Sequence, residues 1–113
     1  MTDVGRLFDN LAAAIVAADE DFQVIYANEA CKKLFKELLN AEGFVGKSMQ
    51  QCHKPETREK MERLYQEYRD RTRKLDYYVM DIPGGKATIV NVPVYKDGEF
   101  KGVVEFIFES SLA

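Results

Sequence analysis

The order of patterned segments predicts an α+β fold: a five-stranded antiparallel sheet with helices covering one face. Three observations carry it. Two short strand-like runs, AAIVAAD (13–19) and FQVIYA (22–27), flank an acidic turn at Asp19, Glu20 and Asp21. Two helical stripes fill the middle of the chain. Three further strand-like runs close it, separated by the glycine turns Pro83-Gly84-Gly85 and Lys96-Asp97-Gly98. The first two strands form a hairpin and the last three a meander. The helices between them must then lie across the sheet, and a pocket forms between helix and sheet.

GRLFDNLA (5–12) predicts a short amphipathic helix carrying Leu7, Phe8 and Leu11. In FQVIYA, strict alternation puts Phe22, Val24 and Tyr26 on one face and Gln23 and Ile25 on the other. Asn28 suits a helix N-cap, because its side-chain oxygen can accept from a free amide of the first turn. EACKKLFKELL (29–39) follows, with Cys31, Leu34, Phe35 and Leu38 at i, i+3, i+4 and i+7. On that stripe Cys31 reads as a small core residue, not a nucleophile. Residues 40–54 carry two glycines and weak periodicity, which predicts a loop with one short helical turn. Pro55 fits the first position of the next helix.

The run from Pro55 to Leu75 puts Met61, Leu64, Tyr65 and Tyr68 on one face and mixed charge elsewhere. Pairs such as Glu56–Lys60 and Glu59–Arg63 have the spacing of a solvated helix surface. DYYVMDI (76–82), KATIVNVPVY (86–95) and EFKGVVEFIFE (99–109) are the last three strands. Alternation puts Val90, Val92 and Val94 together, and likewise Phe100, Val104, Phe106 and Phe108. Pro93 has no amide hydrogen for a ladder, so it marks an edge or a bulge.

The chain has 113 residues, the length of one domain, with a core expected over about 7–109. The formal net charge is -3. That excludes a general nucleic-acid binder, which needs a basic footprint. No apolar run is long enough to span a bilayer, and the N-terminus lacks the pattern of a signal peptide. Two cysteines and one histidine fall short of a structural zinc set, and reduced thiols in a cytoplasmic setting are expected. Gly84-Gly85-Lys86 precedes a strand, whereas a phosphate-cradling loop leads into a helix.

The element order and several stretches resemble the PAS sensory domain family. VIYANEACKKLF (24–35) is similar to the family's second strand running into a helix, with Asn28 and Ala30 at its Asn-x-Ala. Gly46 in FVGKS matches the Val/Ile-Gly-Lys/Arg step. VPVYKDGEFKGVVEF (92–106) resembles the C-terminal Pro…Asp-Gly…Gly hairpin, and CHKPE (52–56) a Cys-His-x-Pro variant of some bacterial PAS domains. Phe108-Glu109-Ser110-Ser111 stands where the family often has Asp-Ile-Thr. The Asn-Cys-Arg-Phe-Leu-Gln stretch of the blue-light flavin subfamily has no counterpart, so neither cysteine is photoactive on this basis.

The resemblance implies a PAS-like sheet and a sensor module. Such domains sit inside the histidine kinases of two-component systems, cyclic-di-GMP enzymes such as diguanylate cyclases, chemotaxis receptors and transcription regulators. A small ligand would lie between the inner face of the sheet and the helices. Its arrival would be relayed as a repacking to an output domain or a second subunit. The expected pocket brings helix residues Leu34, Phe35, Leu38 and Met61 against Tyr26, Val90 and Phe106, with Asn91, Tyr78 and His53 as its polar groups.

Haem is one candidate cofactor, with His53 as axial ligand and Met49, Cys52, Met61 or Met80 as a second. A competing reading is a ligand-free homodimerisation module, in which Leu7, Phe8 and Leu11 pack on the outer sheet face or on a second copy. A third makes Cys52 and His53 a nucleophile and its base. Neighbours in sequence rarely point at each other, however, and no orienting third residue is evident.

Overall fold

In the computed structural model, residues 4–52 and 54–112 are described. The elements run α1 (Val4–Asp9), β1 (Ala14–Asp19), β2 (Val24–Ala27), α2 (Glu29–Leu39), a single 3₁₀ turn (Met49–Cys52), α3 (Pro55–Arg69), β3 (Asp76–Ile82), β4 (Gly85–Lys96) and β5 (Glu99–Phe108). The five strands form one antiparallel sheet in the order β2-β1-β5-β4-β3. The α+β architecture expected from the sequence is therefore present, with α2 and α3 on the inner face. α3 ends at Arg69, earlier than the charged pattern implied. The Glu56–Lys60 and Glu59–Arg63 pairs do not form. Arg73, beyond the helix, instead holds Glu67 at 3.0 Å and Asp76 at 3.4 Å.

Asn28 ties the first three elements together. Its Oδ1 accepts from the backbone amides of Cys31 (3.0 Å) and Ile15 (3.0 Å). Its Nδ2 donates to the carbonyls of Phe8 (2.9 Å) and Ala13 (2.8 Å). One side chain thus caps α2, extends the β1–β2 ladder and holds the end of α1. It is 1% exposed, so each of these groups would otherwise lose water without replacement.

The strand faces depart from simple alternation at two places. In the β1–β2 pair, Ala17 faces Tyr26 but Ala18 faces Val24, so Ile25 is an extra residue. This bulge turns Val24 inward and Tyr26 outward. In the β4–β5 pair, Val94 faces Gly102 but Tyr95 faces Phe100, leaving Lys101 as the extra residue. Phe100 therefore points inward although Val104 and Phe106 point outward. Gly102 permits the kink. Its φ is +142°, and a Cβ there would collide with the carbonyl oxygen of Ala18. Pro93 lies beyond the last β3 partner, Asp76–Asn91, so its missing amide hydrogen costs no β3 bond.

The loop between α2 and the 3₁₀ turn docks along the free edge of β2. Val24 N donates to Lys47 O (2.9 Å), Gly46 N to Val24 O (2.7 Å) and Met49 N to Phe22 O (2.8 Å). This covers an edge that would otherwise be open to strand pairing.

Two substitutions test these joints. Asn28→Ala should destabilise folding by about 3 kcal/mol in urea titration, because four hydrogen bonds, two of them buried, are lost at once. Gly102→Ala should cost more than about 3 kcal/mol, since the obstructing atom is backbone and the clash is relieved only by opening the β1–β5 ladder.

Candidate functional site

The inner face carries two separate cores. The first joins α2 to β1, β4 and β5: Cys31 and Leu34 meet Ala14, Val16, Ala27, Ala87, Ile89 and Ile107. Burial pushes the Cys31 thiol up to about 12, so it is inert at neutral pH. The second core is aromatic and anchors α3. Tyr65 stacks on Phe22 at 4.1 Å between centroids and meets the edge of Phe100 at 5.2 Å. The Tyr65 hydroxyl donates to Asp19 O at 3.2 Å. The Tyr68 hydroxyl donates to Asn91 at its backbone O (3.1 Å) and its Oδ1 (2.9 Å). Both tyrosines are essentially unexposed, and burial raises the pKa of each.

Between the two cores α3 stands off the sheet, and the gap is a cavity of about 740 Å³. Its floor is Val16, Ile89, Asn91 and Glu105 from the central strands. Phe35 and Leu39 of α2, Phe44 and Met49 of the loop, and Met61 and Leu64 of α3 form apolar walls. Lys60 and Arg63 of α3, both exposed, also line it, with Arg73, Asp76 and Tyr78 beside β3.

Glu105 was missed by sequence reasoning. Alternation sets Glu105 on one face with Lys101, Val103 and Glu109, which reads as a solvated outer face. The structure turns that face inward, opposite Val16 and Asn91. Glu105 has no hydrogen-bond or ion-pair partner among the described residues. Its carboxyl is pushed up to about 7, first by loss of water and second by the nearby charge of Asp76. Tyr78, half exposed on β3, sits near the same carboxylate, and its pKa is raised by partial loss of water and by that charge.

Of the expected site residues, Phe35, Met61, Tyr78 and Asn91 line the cavity. Leu34 is buried in the α2 core and Leu38 packs against it, outside the cavity lining. Tyr26, Val90 and Phe106 lie on the opposite face of the sheet, which corrects the expected facing. For Tyr26 the cause is the Ile25 bulge. For Val90 and Phe106, which pair with each other, it is the inward turn of Ile89, Asn91 and Glu105. His53 lies outside the described residues, as does the side chain of Cys52. Met80 is exposed on β3 and is not part of the cavity lining. Among the described residues, no group of three or more His, Cys, Asp or Glu side chains could hold a metal ion.

The outer face has its own apolar groove. Phe8 of α1 overlies Ile15, Ala17, Tyr26, Val92, Val104 and Phe106, and the Tyr26 hydroxyl donates to Asp9 at 2.7 Å.

The model of the PAS domain family matches residues 4–110, and the chain belongs to that family. It is a sensory or regulatory module, not a catalytic one. Among solved structures it is similar to the PAS domain of BvgS from Bordetella pertussis, with 16% identity, 94% of this chain and 82% of that one covered, and a TM-score of 0.69. It is similar to a sensory box sensor histidine kinase from Vibrio cholerae, with 13% identity, 97% and 90% coverage and a TM-score of 0.64. A third is the Aer2 receptor from Vibrio cholerae, described as a dual PAS-heme oxygen sensor, with 14% identity, 88% and 95% coverage and a TM-score of 0.61. Likenesses at these identities show the fold. A comparison with curated proteins returns no match. No helix among the described residues is long and apolar enough to cross a membrane.

The raised Glu105 pKa has a definite sign for stability. The folded state holds this proton more tightly than the unfolded chain, whose carboxyl titrates in the ordinary range. Stability is therefore greatest at low pH and falls as pH rises through about 7. Glu105→Gln should remove that slope. Relative to wild type, it should gain roughly 3 kcal/mol of stability between pH 5 and pH 8, measured by urea denaturation at both pH values.

Proposed function

We propose that this PAS domain is the input module of a signalling protein, and that it binds a small molecule in the cavity between the sheet and α3. The observation that carries this reading is the cavity itself. A volume of about 740 Å³ suits a small ligand, and its lining is mostly apolar with a few convergent polar groups. Because α3 is anchored at its C-terminal end by Tyr65 and Tyr68, its first two turns are the part a ligand would move. Asn91 joins the cavity floor to Tyr68, so a ligand touching Asn91 would also bear on the α3 anchor. Asn28 holds α1 on one side and α2 on the other, which offers a route from the inner face toward an output domain or a second subunit.

Haem remains a candidate occupant for this reading. The described lining offers the thioethers of Met49 and Met61 and, in Lys60 and Arg63, cations of the kind haem carboxylates pair with. The histidine this chemistry calls for is His53, outside the described residues. Protein purified without refolding should carry a bound small molecule in native mass spectrometry, and filling the cavity with Met61→Trp should release it. An absorbance band near 400 nm (a Soret band) that disappears in His53→Ala would identify haem.

A second reading is favoured by the outer face. Val4, Leu7, Phe8 and Leu11 are all exposed beside an apolar groove, which suits a homodimer in a cytoplasmic signalling protein. Light scattering should then give twice the 13.0 kDa chain mass. Phe8→Glu should return it to the monomer. Wild-type protein that dimerises but carries no small molecule would favour this module without a ligand.

A further inference from the structure

We infer that the ligand of the cavity presents a nitrogen donor, an amine, amidine or protonated heterocycle, to Glu105 from an apolar or aromatic body. The inference rests on the proposed reading of the cavity as a ligand site and names the chemistry that site would select.

Glu105 stands near the middle of the sheet, on the strand between β1 and β4, and its side chain lines the cavity. Its apolar neighbours in the lining are Val16, Ile89, Phe35, Met61 and Leu64, and no donor among the described residues bonds to it. A half-buried carboxyl with no partner loses part of its water without replacement, at some cost to the fold. The neighbouring acid, Asp76, is not in the same position, because Arg73 already holds it at 3.4 Å. Arg73 is in turn held by Glu67 at 3.0 Å, so it is not free to turn toward Glu105.

The groups around Glu105 decide between a cationic and an anionic partner. Asp76 and Tyr78 approach from β3, Tyr65 from α3, and Cys31 from α2. The charges nearest Glu105 are therefore negative or locked in pairs. Arg63 and Lys60 lie further toward the start of α3 and are exposed. The floor attracts a donor, and any anionic part of a ligand would face Lys60 and Arg63.

Asn91 narrows the chemistry further. Its Oδ1 accepts from Tyr68, which fixes the amide so that Nδ2 is the free end. It stands across the strand pair from Glu105. Donor and acceptor are thus offered side by side, the pattern that a cyclic amidine or a protonated ring nitrogen beside an acceptor would satisfy. Pairing with a cation also favours the ionised form of Glu105, which offsets the cost of its burial.

Three probes of matched shape test this: 2-naphthylmethylamine, 2-naphthylmethanol and 2-naphthoate, titrated by calorimetry at pH 7.5 into wild type and Glu105→Gln. The amine should bind wild type about tenfold more tightly than the alcohol, with the carboxylate weakest. In Glu105→Gln that tenfold advantage of the amine over the alcohol should vanish. Equal binding of amine and alcohol, a preference for the carboxylate, or an amine preference that survives Glu105→Gln would overturn the inference and leave the cavity reading standing. No binding by any of the three would overturn both.

Discussion

The tyrosine anchor of α3 sets the rest of the inner face. Tyr65 and Tyr68 are one helical turn apart, fully covered, and each spends its hydroxyl on a backbone carbonyl of the sheet. Their rings are long, so they hold the helix axis away from the strands. Phe22 and Phe100 fill the space beside them. Nothing comparable stands at the start of α3, where Thr57, Lys60 and Met61 face the gap. A helix pinned at one end by large side chains and loosely covered at the other leaves a cavity over the central strands. Two small cores in place of one continuous core are the structural consequence.

The second joint is Asn28. A helix start, a strand ladder and the end of α1 converge on one short amide, and the amides of Ile15 and Cys31 need it because they are sheltered from water. Asparagine suits this place because it accepts through Oδ1 and donates through Nδ2. Aspartate would lose both donations to Phe8 and Ala13. Asn28 therefore links α1, on the outer face, to α2, on the inner face.

Much of the architecture was legible because periodicity and turn chemistry are local. The α2 stripe of Cys31, Leu34, Phe35 and Leu38, the Asn28 cap, Pro55 at the start of α3, and the Asp97-Gly98 hairpin all act within a few residues of chain. The positive φ of Asp97 (54°) and of Gly98 (79°) is what such a turn requires. The site was less legible. Tyr26, Val90 and Phe106 were expected inward and lie outward, and Glu105 was passed over. One extra residue in a strand exchanges its faces. The Ile25 and Lys101 bulges leave no clear mark in the pattern of apolar and polar residues. On β4 and β5 both faces are largely apolar, so alternation gives no direction. Glu105, the charged residue in the apolar middle of β5, points the wrong way for a simple rule.

The sequence alone determined the α+β class, the order and approximate ends of the elements, and the motifs by which the chain resembles the PAS family. Those follow from interactions between residues close in the chain. Only the tertiary structure decided which sheet face meets the helices, that α3 stands off the sheet, and that the Glu105 carboxylate lines the cavity floor. These depend on bulges and on contacts such as Tyr68 with Asn91, 23 residues apart. Strand register and helix docking are settled by packing of the whole sheet, and no local pattern encodes that sum.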